Sequence, residues 1–275
     1  MIIEKDIIEK IYNGNIFETA VKFRVSIQTI MASLKKYKIN FEKPKHIYGD
    51  LKRTDFSDFQ KSILIGSILG DGHLEKRSHL KNASFREEHA IDQVEWLKWK
   101  HSNLKPFTTA NMWIRDRGTK ALMPDGKGGK KYYNIQNVCA MSTGVHPYLT
   151  KLHNLFYKDR VKILPNSFIT DNFDLISLAV LIGDDGYHNK ERNYIVLCLE
   201  SFSYTEILLL EKCINNLGVK FTSVIKHSKS PVSYRLYLNN VSINKELLTN
   251  SINILPKCMH HKVSPVLNEH QVATQ

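Results

Sequence analysis

The chain predicts an α+β fold made of two halves in tandem, each of the order α-β-β-α-β-β-α and related by a pseudo-twofold, behind a small all-α module. Three observations carry this. Leu64-Ile65-Gly66-Ser67-Ile68-Leu69-Gly70-Asp71-Gly72 and Leu178-Ala179-Val180-Leu181-Ile182-Gly183-Asp184-Asp185-Gly186 share one form, an apolar, small-residue helix running into Asp-Gly. The two Asp-Gly pairs lie 114 residues apart, the size of a small domain. The segments that follow each pair give strand and helix signals in the same order, with short connections that favour antiparallel sheets covered by helices on one face.

The N-terminal module comes first. Asp6–Tyr12 has helical spacing and stops at Asn13-Gly14. Phe17–Phe23 and Ile27–Lys36 follow, joined by Arg24-Val25-Ser26, and this pattern resembles a helix-turn-helix of the recombinase-like kind. Ala20 lets the helices approach, Val25 plugs the turn, and Ser26 caps a second helix that exposes Gln28 and Thr29. Arg24 stands where such turns favour glycine, so a left-handed conformation there would cost about 1 kcal/mol. The alternative reading is a packing module that touches no DNA. Phe41–His46, charged and holding Pro44, reads as linker.

In the first half, His73–Arg77 and Ala83–Arg86 read as strands, Ile91–Leu104 as a helix with Trp96 and Trp99 on its apolar side, 111–114 and 133–138 as strands, and Tyr148–Tyr157 as a helix. In the second, the corresponding segments are Tyr187–Lys190, Tyr194–Leu199, Tyr204–Leu217, Phe221–Ile225, Tyr234–Leu238 and Ile243–Asn253. The expected domains are therefore 1–45, a linker at 46–54, halves at 55–168 and 169–268, and a tail at 269–275.

Composition narrows the partner. The net charge is +12. Residues 1–54 carry +5, residues 55–168 carry +7 and residues 169–275 are neutral. That excess suits a polyanion, whose counterions are released on binding, although a basic protein without such a partner is the plain alternative. The four cysteines are scattered with no Cys-x-x-Cys pair, which argues against zinc and for buried thiols in a reducing compartment. No membrane span or signal peptide is evident. The expectation is an intracellular protein of the cytoplasm or nucleoid, or of an organelle matrix if the gene is organellar.

Glycine inside a helix costs up to about 1 kcal/mol relative to alanine. Gly66 and Gly70, like Ala179 and Gly183, are four apart and share a helix face, so they predict two helices packed backbone to backbone. Their C-terminal ends would then bring Asp71 and Asp185 side by side. Asp-Gly is also an ordinary turn signal, but its recurrence in matched positions argues for a site. Two adjacent carboxylates repel, and a divalent cation resolves the repulsion. Hard oxygen donors point to Mg2+, with Mn2+ as a substitute.

At these residues the chain resembles a single-chain, two-motif LAGLIDADG homing endonuclease of the intron-encoded type. Leu178–Gly186 keeps six of the nine family letters and Leu64–Gly72 keeps five. Supporting segments are Leu197–Ser203, Lys162-Ile163-Leu164-Pro165-Asn166 and Met259-His260-His261-Lys262, and the likeness covers residues 55–268. The resemblance implies that Asp71 and Asp185 are catalytic, metal-binding carboxylates, with Gly70 and Asp184 completing the metal-ligand assignment. Lys162 and Lys262 match basic residues near the active site, Lys262 only if one residue is inserted after Pro256. Val180 departs from the family's glycine. The resemblance also implies a Mg2+-dependent double-strand break with short 3′ overhangs in a long, asymmetric DNA site, made by a monomer that is an internal pseudo-dimer.

The expected contacts to double-stranded DNA are Gln28, Thr29, Arg77, Arg86, Arg115, Arg117 and Lys130, then Lys190, Arg192, Lys229 and Arg235 in the second half. Arg115–Lys131 holds six Lys/Arg with Gly126, Gly128 and Gly129, and reads as a mobile basic loop at a hairpin tip that orders on DNA. An RNA maturase or DNA-binding regulator that kept the fold and lost cleavage is the alternative. Retention of both aspartates favours the nuclease.

Overall fold

A computed structural model describes residues 2–41, 54–109, 112–116, 120–124, 129–134, 137–189, 191–229 and 231–263. At 120–124, 130, 133–134, 229 and 252 only the backbone is described. Most of the expected linker (46–53), the tail (269–275), Arg117 and Lys190 lie outside the described residues.

Three helices open the chain: α1 (Lys5–Ile11), α2 (Ile16–Phe23) and α3 (Ile27–Lys36). The first repeat runs α4 (Asp58–Leu69), β1 (His73–Glu75), β2 (Ser84–Ala90), α5 (Val94–Asn103), β3 (Trp113–Arg115), β4 (Lys120–Pro124), β5 (Lys130–Asn134), β6 (Val138–Ser142) and α6 (Pro147–Phe156). A hairpin of β7 (Tyr157–Lys158) and β8 (Val161–Lys162), then α7 (Asn166–Asn172), leads to the second repeat. That repeat is α8 (Leu175–Asp185), β9 (Gly186–Asn189), β10 (Tyr194–Leu197), α9 (Tyr204–Asn216), β11 (Thr222–Lys229), β12 (Val232–Leu238) and α10 (Lys245–Ile254).

The second repeat has the expected order. The first carries an added hairpin, because β4 and β5 pair from Lys120↔Asn134 to Pro124↔Lys130. Among the described residues, the stretch expected as a basic loop at a hairpin tip carries both arms of a two-stranded ribbon. Its apolar and Tyr-rich arms favour extended backbone, and Tyr132-Tyr133 belongs to this ribbon, so the closing strand of the sheet begins later, at Val138. The strand orders are otherwise the same: β1-β2-β6-β3 in one sheet and β9-β10-β12-β11 in the other. Identical order in two stretches of chain is the structural signature of the repeat.

By packing, the chain divides into two compact units, Met1–Leu51 with Arg86–Gly144 and Lys52–Phe85 with Val145–Gln275. In the first unit, α2 and α3 pack through Ala20, Ile27, Ile30 and Leu34, all buried. Along β2 burial alternates, so Glu87 and His89 face inward while Arg86 and Glu88 face out. The inward carboxylate of Glu87 meets Lys100 of α5 at 2.5 Å and His89 at 2.5 Å, and the Lys100 ammonium lies 4.5 Å from the Trp96 ring centre. These opposed charges hold the Glu87 carboxyl down to about 2 although burial alone would raise it. Trp96 stacks on Trp99 at 5.0 Å.

In the second unit, Ile195, Leu197, Leu236 and Leu238 form the buried face of the sheet, with α8 against β10 and α9 against β11 and β12. Register places Tyr187, Asn189, Tyr194, Tyr237 and Arg235 together on the opposite face. That face is richer in tyrosine than the expected run of cations. Cys139 and Cys213 are buried, Cys198 is half-buried and Cys258 is exposed, all as free thiols. No helix among the described residues is long and apolar enough to cross a membrane.

Candidate active site

Helix α4 starts on a capping box, Ser57 with Gln60, and α8 on Asp174, whose side chain accepts from the Ser177 amide. Glycine then decides how closely these two helices approach. A Cβ on Gly66 would stand 2.5 Å from the Ser177 carbonyl oxygen and 2.8 Å from the Val180 Cβ. A Cβ on Gly70 would stand 2.6 Å from the Asp184 Cβ and 2.8 Å from its Oδ2. The bulk of Val180, which departs from the family letter, is accommodated by the missing side chain of Gly66 on the facing helix. At the other end of the pair, the Ser62 hydroxyl donates to Asp174 Oδ2 at 2.6 Å and that of Ser177 to the Ser62 carbonyl at 3.1 Å.

This packing brings the C-terminal ends of both helices together. A carboxylate oxygen of Asp71 and one of Asp184 lie within 4.8 Å of each other. Burial, the Asp71 charge and the Asp184 charge push the Asp185 carboxyl up to about 7, against partial relief from Lys162 and Lys262. The carboxylates of Asp71, Asp184 and Asp185 are hard oxygen donors of the kind that suit a divalent cation.

The two lysines are arranged alike. Lys162, at the end of β8, donates to the carbonyls of Gly70 and Gly72, both at 3.1 Å. Lys262 donates to the carbonyls of Asp184 at 3.4 Å and Gly186 at 2.7 Å. Each ammonium therefore spans the carbonyls on either side of one aspartate, Asp71 or Asp185. A 3₁₀ segment, Lys257–Lys262, delivers Lys262. Gly70 and Asp184 meet the lysines through their carbonyls, and a carbonyl oxygen has a second lone pair for another partner.

The expected DNA contacts are spread over both units. Gln28 is exposed, whereas Thr29 is half-buried with its hydroxyl 3.0 Å from that of Ser26 in the helix cap. Arg77 is held by Glu75 at 3.0 Å. Glu88, which the sequence reading passed over, holds both Arg86 at 2.7 Å and Arg115 at 2.9 Å, and Arg86 lies over the Trp113 ring at 5.3 Å. In the second unit Glu200 plays the same part for Arg235, with His227 at 3.8 Å. Arg192 is exposed in the β9–β10 turn. Lys130 and Lys229 sit on β5 and β11, their side chains outside the described residues. The buried Glu87–Lys100–His89 cluster was also missed. Its sequence signal is Lys100 four residues after Trp96, on the apolar face of α5.

Two sheets of the same strand order, and two helices packed at Gly66 and Gly70 with Asp71 and Asp185 at their C-terminal ends, define a two-motif, single-chain nuclease-like architecture. Residues 61–245, about two thirds of the chain, match the LAGLIDADG DNA endonuclease family, and the chain belongs to that family. The DNA endonuclease I-ChuI of Chlamydomonas applanata is 26% identical over 221 residues, covering 74% of this chain and 94% of that protein. Cytochrome b mRNA maturase bI2 of Saccharomyces cerevisiae is 26% identical over 185 residues, covering 64% of this chain and 41% of the maturase. The chain thus spans less than half the length of that relative. Among solved structures, the homing endonuclease I-WcaI bound to its DNA recognition sequence has the same fold, with a TM-score of 0.60 at 21% identity over 83% of this chain and 97% of that one.

Proposed function

We propose that this protein is a homing endonuclease that makes a Mg2+-dependent double-strand break, with short 3′ overhangs, in a long asymmetric DNA target. The observation that carries this reading is the pair of aspartates at the ends of the glycine-packed helices, each flanked by carbonyls that hold a lysine ammonium. Asp71 and Asp185, with the carbonyls of Gly70 and Asp184, would hold the divalent cation, which supplies Lewis-acid stabilisation and a lowered water pKa when bound. Lys162 and Lys262 place a positive charge beside each carboxylate and oppose the charge that develops on phosphate oxygens. Arg86, Arg115 and Arg235 are arginines already oriented by carboxylates, which suits them to bidentate contacts with guanine in the major groove. The unlike halves of one chain would read unlike half-sites.

The test uses DNA spanning the uninterrupted insertion site of the gene's host element, incubated with the protein in Mg2+ or EDTA, with the ends mapped. Cutting at one position in Mg2+ alone, with 3′ overhangs, is the expected result. Asp71→Asn or Asp185→Asn is expected to abolish double-strand cutting while leaving binding within about tenfold, because each removes a cation ligand and no DNA contact. Normal cutting by either variant would refute the two-carboxylate site. A second reading, a splicing maturase, is favoured by the similarity to cytochrome b mRNA maturase bI2. Tight RNA binding and help in splicing, with no cuts in Mg2+ or Mn2+, would establish it instead.

A further inference from the structure

The N-terminal helices lie before the first residue of the family match. Their geometry is a tight helix-turn-helix. Asn15 caps α2, and α2 ends on Arg24 in the left-handed region, φ 52° and ψ 37°. The Val25 amide reaches back to the Ala20 carbonyl at 3.1 Å, closing the turn, and the Ser26 hydroxyl accepts from the Thr29 amide at 3.2 Å to start α3.

Arginine at a left-handed position is strained, and the neighbouring body holds it there. The Arg24 guanidinium meets Asp92 at 2.7 Å, and Asn137 donates to the Arg24 carbonyl at 2.7 Å. One turn earlier, Glu18 meets Lys98 at 2.7 Å. Helix α2 also packs beside β3, the edge strand of its sheet. The module is therefore fastened to the β3 edge through the turn itself.

Fastening leaves one face of α3 uncovered. Ile27, Ile30 and Leu34 turn into the module, while Gln28, Ala32, Lys35 and Lys36 are exposed. These four stand at i, i+4, i+7 and i+8, so they share one face, with an amide at its start, a small residue in the middle and two ammonium groups at its end. Helix α3 contains no acidic residue. A polar stripe of this charge matches a polyanion whose groove admits a helix.

We propose that α3 is a second DNA-reading element: Gln28 reads a base edge in the major groove of duplex DNA beyond the β3 edge, and Lys35 and Lys36 neutralise phosphates. The ties at Arg24 hold this element in register with the sheet. The inference rests on the DNA reading of the family body, and its test separates the two.

The full chain is used to select from a pool of duplexes randomised over 45 positions, in EDTA, and bound molecules are sequenced. The expected wild-type result is a long site with a block of preferred bases at one end. Gln28→Ala is expected to lower discrimination at one position of that end block by about 5- to 150-fold, with all other positions unchanged. Replacing Lys35 and Lys36 by alanine is expected to weaken binding uniformly and flatten the log-log salt dependence by about two. Equal melting temperatures would show that these exposed substitutions leave folding intact. If the wild type selects a site and all variants select it with equal affinity and salt dependence, the module does not read DNA and only this inference falls. If the wild type selects no duplex sequence, the DNA reading of the whole chain falls with it.

Discussion

Replacing Gly66 by alanine probes the helix pair that organises the site. In an exposed helix this change would stabilise by about 1 kcal/mol through propensity alone. Here the new Cβ would lie 2.5 Å from the Ser177 carbonyl oxygen, about 0.9 Å short of ordinary contact, and the obstacle is backbone that cannot swing away. Overpacking of this kind costs about 1–3 kcal/mol, and a gap of 0.5–1 Å opened along the pair forfeits roughly a quarter to a half of the dispersion across it. A net loss of about 2 kcal/mol is expected, read as a lower urea midpoint at unchanged m-value. Asp71 and Asp185 would shift apart by a similar few tenths of an ångström up to about 1 Å, a displacement worth about a hundredfold in rate. Adding Val180→Gly removes the 2.8 Å contact but not the Ser177 carbonyl, so it should recover only part of the loss. A Gly66→Ala protein with the wild-type midpoint and wild-type cleavage rate would refute the claim that backbone contact between these helices sets the site.

Three further outcomes follow from the same structure. Glu87→Gln leaves the Lys100 ammonium buried without its counter-charge and should cost about 3–5 kcal/mol of stability. Because the folded Glu87 carboxyl is held at about 2, below its ordinary 4.5, its stabilisation is present above about pH 4.5 and disappears as pH falls toward 2. A wild-type acid-unfolding curve in the Gln variant would contradict this. Glu88→Gln releases Arg86 and Arg115 from their shared carboxylate, so affinity for unrelated duplex should rise and the salt dependence steepen by about one to two; unchanged values in a salt titration would show that the carboxylate does not restrain them. Lys262→Met removes the ammonium between the Asp184 and Gly186 carbonyls and should cut the rate of one strand more than the other, which accumulates nicked plasmid; equal loss on both strands would mean that the two lysines are not tied to separate aspartates.

Much of this fold was legible because it is written twice. One Asp-Gly would have been a turn; the recurrence of glycine spacing and Asp-Gly in two matched segments required a common environment, and the shared strand order of the two sheets supplies it. The start of α3 was legible too, since Ser26 caps that helix where the sequence places a cap. The β4–β5 ribbon was not, because a glycine- and lysine-rich segment has no burial period to reveal whether its arms pair.

Local pattern thus determined the repeat, the small-residue helix faces and the position of the paired aspartates, all properties that neighbours along the chain encode. Only tertiary structure could decide which carbonyls the lysines bridge, that Val180 lies against Gly66, and that Glu88 restrains Arg115 and Glu200 restrains Arg235. These depend on residues tens of positions apart meeting within hydrogen-bond or van der Waals range. No spacing rule carries that information, because Coulombic and packing energies depend on distance in space and are blind to distance along the chain.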